Sequence, residues 1–392
     1  MRKQIEGSMA VAEGVRLCRP HVISAYPITP QTHIVEFLAQ MQADGDLGAR
    51  CQFVNVESEH SAASVCLGAS ATGARTFTAT TSQGLLLMVE VLYNIAGMRM
   101  PVVLTCANRA VSAPVNIWND QQDSLAARDA GWIMLYAEDN QEVLDMHIQA
   151  YRIGEQLSLP VMVNMDGFIL THAFEPVDIP DQAAVDAFLP PYQPAAYLDP
   201  AHPMSFGVLS EPDKYHETRY ILARDVEKSA PVVRQVADEY ERVFGRYAGG
   251  LLDSYRMEDA ETAVVAMGSV LGTIKDAVDE LRDQGEKVGV LKIRCFRPFP
   301  KKEIAGALSN VKRVAVMDKD ISLGSGGVLA TEIRDALYGS GLSPRVNGYV
   351  AGLGGRDITL DTVKRVVRMT KERAADCEFV DLKWDLIPEE KK

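Results

Sequence analysis

Five clusters of polar residues stand where β-like apolar runs stop, and several are of types that carry chemistry. The run near 21–26 leads into Tyr26-Pro27-Ile28-Thr29-Pro30, and the run 52–56 into Glu57-Ser58-Glu59-His60. The run 76–80 leads into Thr81-Ser82-Gln83-Gly84, the run 101–107 into Asn108-Arg109, and the run 160–165 into Asp166-Gly167. A hydroxyl, carboxylates, an amide and a guanidinium are thus brought to one rim. Ligands of open parallel sheets bind beyond the carboxyl ends of the strands, and all five clusters occupy that position. Helix caps and turns account equally well for Ser58, Ser82 and Asp166. They account less well for Arg109 and for the doubled acid Glu57/Glu59.

The elements that must position these residues read as α/β. Over the first 170 residues apolar strand runs (21–26, 52–56, 76–80, 101–107, 132–136, 160–165) alternate with helical patterns (33–42, 60–73, 85–97, 122–130, 140–157), the signature of a parallel sheet. The helix at 60–73 is dominated by Ser, Ala and Gly, which lets its backbone approach another surface closely and predicts a place deep inside an assembly. From about 172 to 233 prolines 176, 180, 190, 191, 194, 200, 203, 212 and 231 predict an extended arm without long regular elements. A second α/β unit follows, with strands near 262–267, 287–293, 312–317 and 345–350 and helices near 271–284, 301–308, 327–338 and 360–375. The expected division is therefore 1–233 (arm 172–233 included), 250–375, and a charged tail 376–392 that wraps or frays.

Composition narrows the function. A net charge of −13 argues against nucleic-acid or anionic-membrane binding, and against steering an acidic electron carrier toward this chain. The six cysteines contain no C-x-x-C pair, so no iron–sulfur or zinc cradle and no metal site is expected; Cys66 and Cys106 read as buried thiols. Nothing resembles a signal peptide, and no run approaches the roughly 18 apolar residues that span a bilayer, so the chain reads as cytoplasmic. Neither a P-loop nor a G-x-G-x-x-G after the first strand is present. Gly268-Ser269-Val270-Leu271-Gly272 and Gly352-Leu353-Gly354-Gly355 are tight turns or phosphate cradles.

Taken in order, Tyr26-Pro27-Ile28-Thr29-Pro30, Glu57-Ser58-Glu59, Thr80-Thr81-Ser82-Gln83-Gly84-Leu85, Ala107-Asn108-Arg109-Ala110 and Asn119-Asp120-Gln121-Gln122-Asp123 resemble the motif series of the pyruvate:ferredoxin oxidoreductases, within them the α subunit of the multi-subunit enzymes. The resemblance spans essentially the whole chain. It implies a thiamine-diphosphate pyrimidine-binding-type domain followed by a transketolase-C-like domain. It assigns Glu59 to the aminopyrimidine ring, where a buried carboxyl favours the imino tautomer and so the deprotonation of the thiazolium carbon. Glu57 competes for this role on spacing. It assigns Thr29 and Arg109 to the carboxylate and carbonyl of a 2-oxoacid, for which a guanidinium fork is suited. Pairing of Arg109 with Asp120 is the structural alternative. For Asp120 and Asp123 themselves, hydrogen bonding or an interface is the default.

The reaction implied converts pyruvate, coenzyme A and oxidised ferredoxin to acetyl-CoA, carbon dioxide and reduced ferredoxin, reversibly. A G-D-G with downstream asparagines, which would hold the diphosphate and Mg2+, is lacking; the Asp44-Gly45-Asp46 turn has no such sequel. The resemblance therefore implies β, γ and δ-type partner subunits. These would bring most of the thiamine diphosphate and Mg2+ site, the [4Fe-4S] clusters and the ferredoxin contact. Competing readings are another 2-oxoacid (branched-chain, aromatic or oxalate-type), a scaffold subunit without chemistry, and a nicotinamide dehydrogenase, the last disfavoured by the missing glycine fingerprint.

Overall fold

The computed structural model describes residues 1–391. In chain order the elements are β1 (Arg2–Glu6), α1 (Gly7–Leu17), β2 (Val22–Ala25), α2 (Thr32–Asp44), β3 (Gln52–Asn55), α3 (Glu59–Ala71), β4 (Thr76–Thr80), α4 (Ser82–Gly97) and β5 (Val103–Asn108). There follow α5 (Gln122–Ala126), β6 (Ile133–Tyr136), α6 (Asn140–Leu157), β7 (Val161–Asp166), β8 (Phe174–Asp178), α7 (Gln182–Phe188), α8 (Pro212–Glu227), α9 (Ala230–Phe244) and β9 (Leu252–Tyr255). The remainder comprises β10 (Thr262–Ala266), α10 (Val270–Asp283), β11 (Val288–Ile293), β12 (Cys295–Arg297), α11 (Lys301–Ala307), β13 (Arg313–Asp318), α12 (Val328–Tyr338), β14 (Arg345–Val350), α13 (Leu360–Glu372) and β15 (Glu378–Phe379). Two compact units result: Met1–Asp253 with Met267–Ser269 and Ile293–Pro300, and the remainder from Ser254 onward.

The first unit is built on a seven-stranded sheet of order β12-β6-β7-β5-β4-β2-β3. All its pairs are parallel except β12 on β6. Central strands β4, β5 and β7 are buried along their whole length, so they read as continuous runs and not as alternations. The α6 helix starts at Asp139, whose carboxylate accepts from the Glu142 N–H at 2.8 Å. It packs against α1 at Gly14, where a Cβ would stand 3.1 Å from the Leu144 carbonyl oxygen. Sequence reading places no element before residue 21; β1, which pairs antiparallel with β8, and the largely buried α1 fill that space. Both cysteines expected to be buried are so, and burial pushes the Cys66 thiol up to about 12.

The arm expected over 172–233 is corrected. It holds β8 and α7, then an irregular stretch, then the 16-residue α8 and the start of the 15-residue α9. Pro212 and Pro231 sit in the first turns of these helices, where the missing N–H has no intrahelical partner to lose. A proline read as a breaker was a starter.

The second unit is a six-stranded sheet of order β15-β14-β13-β10-β11-β9. Its α13 begins with a capping box between Thr359 and Thr362. The tail does not simply fray: Glu378–Phe379 adds a parallel edge strand beside β14.

Candidate functional site

β7, β5, β4, β2 and β3 are consecutive in the first sheet and parallel, so their carboxyl ends share one edge. The Thr29, Glu59, Gln83, Arg109 and Asp166 segments follow these ends directly.

Glu59 opens α3, capped by Ser58, whose Oγ accepts from the Ser61 N–H at 3.2 Å. It is only 6% exposed, yet its carboxylate accepts no hydrogen bond from any described residue. The start of α4 lies against it. A Cβ on Gly84 would come within 2.7 Å of Glu59 Oε1 and 2.5 Å of Thr80 Oγ1, so only glycine permits this approach. The Thr80 hydroxyl is itself buried and unpartnered. Glu57, two residues earlier, is exposed and accepts from Ser61 Oγ at 2.5 Å, which holds its carboxyl below the ordinary range.

Arg109 is 8% exposed and its guanidinium is aimed by neutral acceptors. NH1 donates to the Thr29 carbonyl oxygen (2.8 Å), Nε to the Asn116 carbonyl oxygen (3.0 Å), and NH2 to Gln83 Oε1 (3.4 Å). One N–H on each of NH1 and NH2 is left without a partner among the described residues. Burial draws the guanidinium pKa down and the nearby Asp123 carboxylate opposes this. The alternative pairing with Asp120 does not occur: Asp120 accepts from the backbone and side-chain amides of Gln122. Arg109 thus meets Thr29 through the backbone carbonyl, while Thr29 as a residue is exposed.

Two acids fix the loops. Asp123 is fully buried at the start of α5; its oxygens accept from the N–H groups of Ser82 (2.9 Å), Arg109 (2.9 Å) and Ser124 (2.7 Å) and from Asn108 Nδ2 (2.9 Å). Burial raises its pKa and these four donors counter the rise. It thereby locks the first residue of α4, Ser82, whose φ is +48°, to the loop after β5. Asp166 accepts from Asn119 Nδ2, Gln121 Nε2 and both the N–H and Oγ of Ser269. The Gly268-Ser269 turn therefore presents its N–H to a carboxylate of the same unit. Sequence reading left Asp123 and Asp166 as structural or capping residues; the crowding of Asn, Asp and Gln over 119–123 was the available signal for a network. Around this edge Val115 (78% exposed), Trp118 (54%), Tyr26 and Ile169 present apolar surface. Among the described residues no group of three or more His, Cys, Asp or Glu side chains is placed to hold a metal ion.

Comparison with known proteins agrees with this architecture. Residues 13–238 match the family model described as pyruvate flavodoxin/ferredoxin oxidoreductase, thiamine diP-binding, and residues 260–363 match pyruvate:ferredoxin oxidoreductase core domain II. The pyruvate synthase subunit PorA of Methanosarcina barkeri is 54% identical over 98% of this chain and 97% of its own. The ketoisovalerate oxidoreductase subunit VorA of Pyrococcus horikoshii is 44% identical over 95% and 94%. A solved 2-oxoglutarate:ferredoxin oxidoreductase from Magnetococcus marinus superposes with a TM-score of 0.68 at 20% identity, over 95% of this chain and 65% of that longer one, a likeness of fold. On the near-complete match to both domains and to these relatives, the chain belongs to the pyruvate flavodoxin/ferredoxin oxidoreductase family.

Proposed function

We infer that this chain is the α-type subunit of a multi-subunit pyruvate:ferredoxin oxidoreductase and supplies half of a composite active site. The observation that carries the reading is the Glu59 carboxylate, on a residue 6% exposed and without a hydrogen-bond donor among the described residues, set against Gly84 on the same sheet edge as a guanidinium held by neutral acceptors. A carboxylate in a nearly closed site that takes no donor from the protein can take one from a ligand, and a ring nitrogen of thiamine would supply it. When bound, the cofactor supplies the electron sink for cleaving the bond between the carboxylate and carbonyl carbons of the 2-oxoacid.

Glu59 would bind the aminopyrimidine and share a proton with its ring nitrogen. Arg109, through its two uncommitted N–H groups, would orient the substrate carboxylate, with Thr29 setting the guanidinium plane and offering its hydroxyl. Buried Asp123 keeps the start of α4 and the loop after β5 in register, so these groups need not reorganise on binding. Among the described residues no group of three or more His, Cys, Asp or Glu side chains is placed to hold Mg2+ or an iron–sulfur cluster. Partner subunits of β, γ and δ type hold the diphosphate with Mg2+ and the [4Fe-4S] clusters, bind coenzyme A and pass electrons to ferredoxin. The small-residue helix α3 and the apolar edge at Val115 and Trp118 suit such assembly. Among the described residues no helix is long and apolar enough to cross a membrane; we place the complex in the cytoplasm.

A second reading, with a branched-chain 2-oxoacid as substrate, is favoured by relatives named ketoisovalerate oxidoreductase at 44–45% identity. Viologen reduction by the purified native complex decides. Pyruvate should give the highest kcat/KM; a preference for 2-oxoisovalerate would transfer the assignment, and no 2-oxoacid activity would overturn it.

A further inference from the structure

Gln83, at the start of α4, is held through one end of its side-chain amide, the oxygen. Its Oε1 lies 3.4 Å from Arg109 NH2 and 2.7 Å from Ser82 Oγ. Ser82 has one hydroxyl proton and lies 2.5 Å from the Ala110 carbonyl oxygen as well, so it does not by itself settle which amide atom faces it. Arg109 does settle it: a guanidinium only donates, so the atom facing it must be the oxygen. The amide nitrogen is consequently turned away from both, buried, and without any partner. A buried N–H left unmade is destabilising, and an acceptor on a ligand would complete it. Gln83 also directly precedes Gly84, the residue against which the Glu59 carboxylate rests.

We propose that Gln83 positions the 2-oxoacid, donating its side-chain N–H to the substrate's carbonyl or carboxylate oxygen while Arg109 holds the carboxylate. The chemistry is matched on both sides. A 2-oxoacid presents only acceptors at its reacting end, and the uncommitted groups here are an amide N–H and two guanidinium N–H. Because Gln83 Oε1 accepts from the same guanidinium, carboxylate binding and amide orientation are coupled. This inference rests on the function proposed above and adds a specificity-determining residue to it.

The test uses the assembled native complex carrying Gln83→Glu or Gln83→Met. Oxamate, which has the carboxylate and carbonyl but does not react, should bind roughly tenfold or more weakly to both variants, and KM for the 2-oxoacid should rise to match. Exchange of the thiazolium C2 proton, which needs no substrate, should stay at the parental rate. On lowering the pH, Gln83→Glu should recover oxamate affinity relative to the parent, because the protonated carboxyl regains an O–H donor; Gln83→Met should not. Parental oxamate affinity and KM in both variants would overturn the proposal. So would a shared fall in melting temperature and C2 exchange with no recovery in Gln83→Glu, the pattern of a purely structural side chain. Absence of C2 exchange in the parental complex would overturn the function itself, which separates the two failures.

Discussion

Glu57 and Glu59 flank the same capping serine, and their spacing does not rank them for the proposed chemistry; burial is what supports Glu59. Glu57 faces solvent and is tied to Ser61, whereas Glu59 is enclosed and unpaired. Glu59→Gln should keep the shape and the assembly while kcat falls by roughly 10²–10⁴, the cost of losing a general acid–base group. NMR of C2 proton exchange in the assembled complex reads this directly, and an unchanged rate would remove Glu59 from the role. Arg109→Lys replaces a planar fork that reaches the Thr29 and Asn116 carbonyls together by a single nitrogen that cannot. We expect kcat/KM for the 2-oxoacid to fall roughly 10–150-fold, with thiamine diphosphate affinity unmoved. A lower melting temperature with unchanged KM would mean the guanidinium only braces Thr29. The types and order of these residues were legible in the sequence. The Asp123 hub was not, because three of its five donors (the Cys106 thiol is the fifth) are backbone N–H groups that no residue code records.

Elements explain why the site has this shape. The α3 and α4 helices begin almost in contact, and Gly84 is what allows it. Gly84→Ala would force apart the Glu59 carboxylate and the Thr80 hydroxyl; overpacking of this kind costs about 1–3 kcal/mol. A drop of several degrees in melting temperature together with impaired C2 exchange is expected, and a full-rate alanine variant would mean the helices have slack. Below the sheet, His147 of α6 is fully buried between Thr105 Oγ1 and the Val143 carbonyl oxygen, and burial draws its pKa from 6.5 to about 4. A proton binds the unfolded chain but not the folded one between those values. Stability present above pH 6.5 should therefore decline as pH falls toward 4, by about 3 kcal/mol from this group. Melting curves across that range check the slope, which His147→Gln should flatten. The parallel sheet was readable because its strands are short, apolar and evenly spaced. The helices α8 and α9 were not, because Pro212 and Pro231 look the same in a sequence whether they end a helix or begin one.

At the scale of the whole molecule, the proposed division of the site puts the aminopyrimidine and 2-oxoacid contacts on this chain and the diphosphate with its metal on a partner. Alone, this chain should bind thiamine diphosphate weakly and without magnesium dependence; micromolar, magnesium-dependent binding in a calorimetric titration of the isolated subunit would refute the divided site. The first unit is also discontinuous. Ser269 supplies two of the bonds that hold Asp166, and Cys295–Arg297 forms the strand that covers the edge of β6, although both are separated from Asp253 by parts of the second unit. On a ribosome this order of synthesis has a consequence: the amino-terminal unit cannot finish folding until the chain has been made through about Pro300. Until then β6 is an open strand edge, a template for pairing with a neighbouring nascent chain. A fragment stopped at Asp253 should accordingly be recovered as aggregate or bound to chaperones, whereas one stopped well beyond Pro300 should not.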